Sequence, residues 1–129
     1  MTTSIRDLVA RAKDRVSNLS VTEVAAALEN GTVTLVDLRE PDEVRRDGAI
    51  PRAVMAPRGM LEFYADPSSP YHRDSFDPSA TTILYCASGG RSALAVLSLM
   101  ELGYTDVAHL DGGLAAWKEQ GRPITFEES

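Results

Sequence analysis

Residues 81–92 read Thr-Thr-Ile-Leu-Tyr-Cys-Ala-Ser-Gly-Gly-Arg-Ser, and residues 92–102 continue SALAVLSLMEL. Residues 81–86 form a short β-branched and aromatic run that reads as a strand, apolar enough to be a central one. Residues 92–102 are apolar on nearly every side, which suits a helix packed between a sheet and its neighbours. Between the two lie Cys86, a pair of glycines and Arg91. A strand feeding a helix in this way is the unit of a parallel sheet with crossover helices.

Working outward, residues 33–38 (VTLVDL), 107–110 and 53–56 supply further short strands. Ile5, Leu8, Val9, Ala12 and Val16 recur at helical spacing, so residues 2–16 read as a surface helix. Ser20 with Glu23 three residues on forms a capping box for a helix over 21–29, closed by Asn30-Gly31. Residues 41–46 read as a helical turn capped by Glu40 or Asp42, and 60–65 as a short helix. Gly103 ends the helix over 92–102. A last helix over 113–120 turns Leu114 and Trp117 to the core and stops at Gly121 and Pro123. Residues 66–80 carry three prolines and four serines and read as a surface loop. The expectation is an α/β domain with a mostly parallel central sheet of about five strands and helices on both faces. Residues 1–18 are assigned to an N-terminal helical extension and 19–125 to a single domain.

The gross numbers agree with one domain: 129 residues, 43% hydrophobic and 25% charged. No apolar run approaches the roughly 20 residues of a membrane-spanning helix, and the N-terminus has no apolar segment of signal-peptide type. The expectation is a cytoplasmic protein without a membrane partner. A net charge of −6, from 13 basic and 19 acidic side chains, argues against a general nucleic-acid binder. A local pair of arginines still suffices for a small anion. The single cysteine excludes an intramolecular disulfide and fits a reducing compartment. No metal-ligand spacing is present. His72 lies in the proline-rich loop and His109 within a strand, so each reads as a packed or hydrogen-bonded residue.

In open parallel sheets ligands bind beyond the carboxyl ends of the strands. Asp37 and Arg39 follow one such end, Asp111-Gly112-Gly113 another, and Cys86 the central one. Two adjacent glycines after Cys86 let the backbone fold back with its N–H groups inward. Such a nest at a helix N-terminus should lower the thiol and expose a thiolate to substrate. Arg91 adds a full charge and a planar array of donors suited to an oxyanion. The plain alternative is a buried structural cysteine followed by a glycine-rich turn. A structural turn has no need of an arginine beside a thiol.

The segment 86–92 resembles the active-site loop of the rhodanese family. Asp37-Leu38-Arg39-Glu40 is similar to the family's Asp-Val-Arg segment. Glu43 with Asp47-Gly48-Ala49-Ile50-Pro51 is similar to its Glu and Gly-His-Ile-Pro segment. Leu110-Asp111-Gly112-Gly113, Trp117 and Gly121-Arg122-Pro123 resemble its C-terminal signature. The resemblance runs from about Leu19 to Pro123 and implies a three-layer sandwich. Ala49 stands where the family commonly has His, and Arg52 where it commonly has Gly. The second departure implies a different local turn or added positive charge near the site.

The resemblance also implies a sulfurtransferase that takes sulfane sulfur from a small anionic donor such as thiosulfate. Cys86 would hold it as a persulfide, and cyanide or a cellular thiol would remove it. No cofactor is implied beyond that covalent intermediate, and a protein persulfide is left open as donor. Cys86 and Arg91 are the catalytic candidates. Ala87, Ser88, Gly89, Gly90 and Ser92 would bind the sulfur, Ser92 by donating a hydrogen bond. Arg58 would line the mouth. Asp37 and Arg39 would support the loop, Arg39 through Glu43. Two rivals share the fold, a phosphatase or arsenate reductase and a binding module without catalysis. Four residues separate Cys86 from Arg91, one fewer than in phosphatase-type loops, and the tighter ring favours sulfur.

Overall fold

The computed structural model describes residues 2–126. Helix α1 (Ile5–Arg15) leads into a short strand β1 (Ser17–Leu19), then α2 (Val21–Asn30) and β2 (Val33–Asp37). Helix α3 (Pro41–Asp47), β3 (Val54–Met55), a 3-10 turn (Arg58–Met60) and α4 (Leu61–Ala65) follow. After the loop come β4 (Thr81–Tyr85), α5 (Gly90–Glu101), β5 (Val107–Leu110) and α6 (Gly113–Glu119). The sheet has five strands in the order β1-β5-β4-β2-β3, every neighbouring pair parallel. The expected α/β layout with about five strands is what forms.

Alternation along β4 explains the layers. Ile83 and Tyr85 face one side and pack with Val21, Val24, Leu114 and Trp117 of α2 and α6. Leu84 and Cys86 face the other and pack with Leu61, Ala95, Val96 and Leu99 of α4 and α5. A strand covered on both faces is buried along its length, and β4 is buried from Thr82 to Tyr85. The capping box forms as read: the Ser20 hydroxyl accepts from the Glu23 N–H at 3.1 Å, and a Glu23 carboxylate oxygen accepts from the Ser20 N–H at 2.8 Å. Among the described residues no helix is long and apolar enough to cross a membrane.

The sequence reading has no counterpart for β1. Ser17, Asn18 and Leu19 pair with Ala108, His109 and Leu110 of β5 and extend the sheet by one edge strand. The strand is short, and two of its residues face solvent, so no hydrophobic alternation marks it.

Candidate active site

The carboxyl end of β4 delivers Cys86 to the N-terminus of α5. The turn between them needs one glycine, not two. Gly89 sits at φ 104°, in the left-handed region, whereas Gly90 begins the helix and has open room for a side chain. The loop is held from behind by α6. The Leu114 N–H donates to the Cys86 carbonyl at 2.9 Å and the Ala115 N–H to the Ala87 carbonyl at 3.1 Å. With these carbonyls turned toward α6, the amides that follow face the sulfur. Gly113 makes the approach possible, because a Cβ there would lie 2.5 Å from the Cys86 carbonyl oxygen.

At the centre the Gly89 N–H donates to Cys86 Sγ at 3.2 Å. Burial pushes the thiol up, and hydrogen bonding at the sulfur, with the Ser92 side chain and with the N–H groups of Ser92, Gly89 and Ser88, outweighs it. The thiol therefore lies below its ordinary value. The expectation of an exposed thiolate is corrected: Cys86 is 1% exposed and belongs to the apolar cluster under α5. Its amide cradle is turned inward all the same.

Arg91 lies beside this loop with its side chain 39% exposed. It makes a bidentate pair with Glu43, both N–H···O distances 2.9 Å. Glu43 and then the Cys86 sulfur hold the guanidinium firmly charged. Glu43 is the functional-looking residue that sequence reasoning placed wrongly. It was expected to pair with Arg39, but Arg39 reaches only its carbonyl, at 3.5 Å. The true partner of Arg39 is Asp37, through Nε at 3.0 Å and Nη2 at 2.7 Å, with the Gly48 carbonyl accepting at 2.6 Å. Tyr85 completes the cluster by donating to Asp37 at 2.7 Å and accepting from the Ile50 N–H at 3.0 Å. Asp37 and Arg39 are fully buried and tie the ends of β2 and β4 together rather than touching the loop.

The remaining candidates divide. Ala87, Ser88 and Ser92 lie in or beside the cradle. Arg58 is engaged with both Glu62 oxygens, at 2.9 and 3.0 Å, and with the Ser98 hydroxyl at 3.3 Å. His72 bonds the Phe76 carbonyl, and Trp117 is core, its indole N–H on the Pro123 carbonyl. His109 is fully buried behind Ser92, its Nδ1 2.8 Å from the Ser92 hydroxyl.

Both departures from the family pattern lie elsewhere. Ala49 and Arg52 line a groove of about 970 Å³ with Arg39, Arg45, Met55 and Phe126, and no residue of 86–92 borders it. Arg52 occupies φ 72°, the region that suits glycine, and donates to the Leu28 carbonyl.

Similarity to known proteins points one way. A sulfurtransferase from Allochromatium vinosum is 35% identical over 96 residues, 74% of this chain and 81% of that protein. Some other curated relatives are longer, and the chain spans only 26% of a probable adenylyltransferase/sulfurtransferase from Mycobacterium tuberculosis, 32% identical over 114 residues. The structure of a polysulfide-sulfur transferase homodimer from Wolinella succinogenes superposes with a TM-score of 0.76 at 30% identity, covering 93% of this chain and 85% of that one. A protein of unknown function and possible tyrosine phosphatase from Rhodopseudomonas palustris superposes at 0.90 with 38% identity, covering 97% and 96%. The sequence pattern of the Rhodanese-like domain matches residues 20–120, and with that span and those sulfur-transferring relatives the chain belongs to the rhodanese-like family.

Proposed function

We propose that this protein moves sulfane sulfur from a small anionic donor to a thiophilic acceptor through a persulfide on Cys86. The observation that carries the reading is the Cys86 sulfur at the focus of loop amides on the N-terminus of α5, with the Gly89 N–H at 3.2 Å. The Cys86 thiolate attacks the outer sulfur of thiosulfate. A sulfur–sulfur bond forms, the donor's own sulfur–sulfur bond breaks, and sulfite leaves with its electron pair. Cyanide or a thiolate then attacks the outer sulfur and returns the Cys86 thiolate, a double displacement that needs no other cofactor. The amides of residues 87–92 stabilise negative charge on the bound sulfur. Arg91, steadied by Glu43, offers its exposed edge to the donor's oxyanion. An unpaired thiol of this kind suits a reducing compartment such as the cytoplasm.

Phosphate-ester hydrolysis is the second reading, favoured by the description of the Rhodopseudomonas palustris neighbour. The four residues between Cys86 and Arg91 weigh against it, since a shorter loop closes around one atom better than around a tetrahedral group.

Mass spectrometry of the chain after incubation with thiosulfate tests the proposal. The expected result is the mass of one added sulfur on Cys86, removed by cyanide and absent in Cys86→Ser. Phosphatase activity without any sulfur adduct overturns it.

A further inference from the structure

Behind the cradle runs a line of hydrogen bonds that sulfur transfer does not require. Cys86 Sγ lies 3.6 Å from the Ser92 hydroxyl oxygen, which lies 2.8 Å from His109 Nδ1, and His109 Nε2 lies 2.7 Å from the Asn18 side-chain oxygen. Ser92 and His109 are fully buried. The direction of each bond can be worked out from the far end. The Asn18 amide nitrogen donates to the Lys13 carbonyl at 2.8 Å and to the Val16 carbonyl at 3.1 Å. Its oxygen, which only accepts, therefore faces His109. His109 must carry its hydrogen on Nε2, and Nδ1 is left as an acceptor. Ser92 has one hydroxyl hydrogen and two groups that want it, His109 Nδ1 and the Cys86 sulfur.

We propose that His109 is a positioning residue that takes the Ser92 hydroxyl hydrogen and so keeps it from the Cys86 sulfur. In the resting state the Cys86 thiol donates to Ser92, and Ser92 donates to His109. A Ser92 hydrogen pointing at the sulfur would lower the thiol further, and His109 holds that hydrogen elsewhere. Forming the thiolate then requires the hydroxyl to turn, which strips a buried nitrogen of its partner. The nucleophile is restrained by its own second neighbour, and no hydroxyl hydrogen is left for the sulfur.

Burial holds His109 down at about 4, against Asp111, which raises it, and Lys13, which lowers it further, so the ring stays neutral near pH 7. Lys13 of α1 and Asp111 after β5 are the charges facing His109, and they pair with each other at 3.1 Å. Arg91 of α5 faces the sulfur and is held by Glu43 of α3. None of these supplies Nδ1 with a proton.

The inference deepens the sulfur-transfer reading, because it concerns the same nucleophile, yet its test does not depend on transfer. The thiolate ultraviolet absorbance of the whole chain is titrated against pH, with Cys86→Ser as blank. In His109→Leu the freed hydroxyl turns to the sulfur, and the thiol inflection falls by about one pH unit. His109→Asn keeps an acceptor oxygen near the Nδ1 position and leaves the inflection in place. Adding Ser92→Ala to His109→Leu reverses the fall. An inflection in His109→Leu that stays or rises overturns the proposal. Should His109→Leu fail to fold, nitrogen NMR of the wild-type ring decides: Nδ1 without hydrogen across about pH 5 to 8 supports it, and Nδ1 protonated there overturns it. A shifted inflection with no sulfur adduct would sink the proposed reaction and leave this inference standing. A normal adduct with an unmoved inflection would do the reverse.

Discussion

Replacing Glu43 by Gln removes the charge that binds Arg91 while keeping the size of the side chain. Hydrogen bonding from Arg91, aided by the Glu40 N–H and opposed by burial, holds the Glu43 carboxyl at about 2, against an ordinary 4.5. At 1.36 kcal/mol per pH unit that difference would amount to about 3 kcal/mol. The pair is partly wet, with side chains 39% and 22% exposed for Arg91 and Glu43, and screening reduces the figure to about 1–2 kcal/mol. Because the folded value lies below the unfolded one, the contribution is complete above about pH 4.5 and fades as the pH falls toward 2. Urea unfolding of wild type and Glu43→Gln should therefore differ by about 1–2 kcal/mol at pH 7 and by less than half of that at about pH 3. Equal gaps at both pH values, or no gap at pH 7, would refute the electrostatic account of this pair.

Two glycines near the loop should respond in opposite ways. Gly113→Ala places a Cβ 2.5 Å from the Cys86 carbonyl oxygen and 2.7 Å from Ala87 backbone atoms at φ 59°, and should cost about 3 kcal/mol or more. Gly90→Ala meets nothing closer than a Val9 methyl group at 3.7 Å and should stay within about 0.5 kcal/mol of wild type; thermal unfolding separates them, and equal losses would contradict the geometry. Tyr85→Phe leaves the Ile50 N–H unpaired and removes one of the two hydrogen bonds on an Asp37 oxygen, Arg39 keeping the other, and should cost about 2–4 kcal/mol by urea unfolding, a loss under 1 kcal/mol arguing against the network.

What could be read in advance follows from how local each signal is. The β4–α5 unit declares itself, since a buried strand and its crossover helix are apolar in contiguous runs, and the Ser20 cap needs only a spacing of three. Glu43 and Arg91 are 48 positions apart, and nothing local tells a carboxylate which of two arginines it will meet. The expected partner is Arg39, whereas the end of β2 points that guanidinium back at Asp37 instead. The glycine pair misled in a similar way: composition marks a turn but not which of its members bends left-handed. The β1 strand was invisible because an edge strand of three residues needs backbone partners, not a pattern.

That edge strand has a consequence for the nucleophile. Asn18, which sets the tautomer of His109, comes from β1, and Lys13, which faces the same ring, comes from α1. Both precede residue 20, where the family pattern begins. A chain trimmed to that pattern would keep every residue of the sulfur loop and lose the strut that orients the imidazole behind it. The proposed support of Cys86 thus reaches back past residue 20, into β1 and α1.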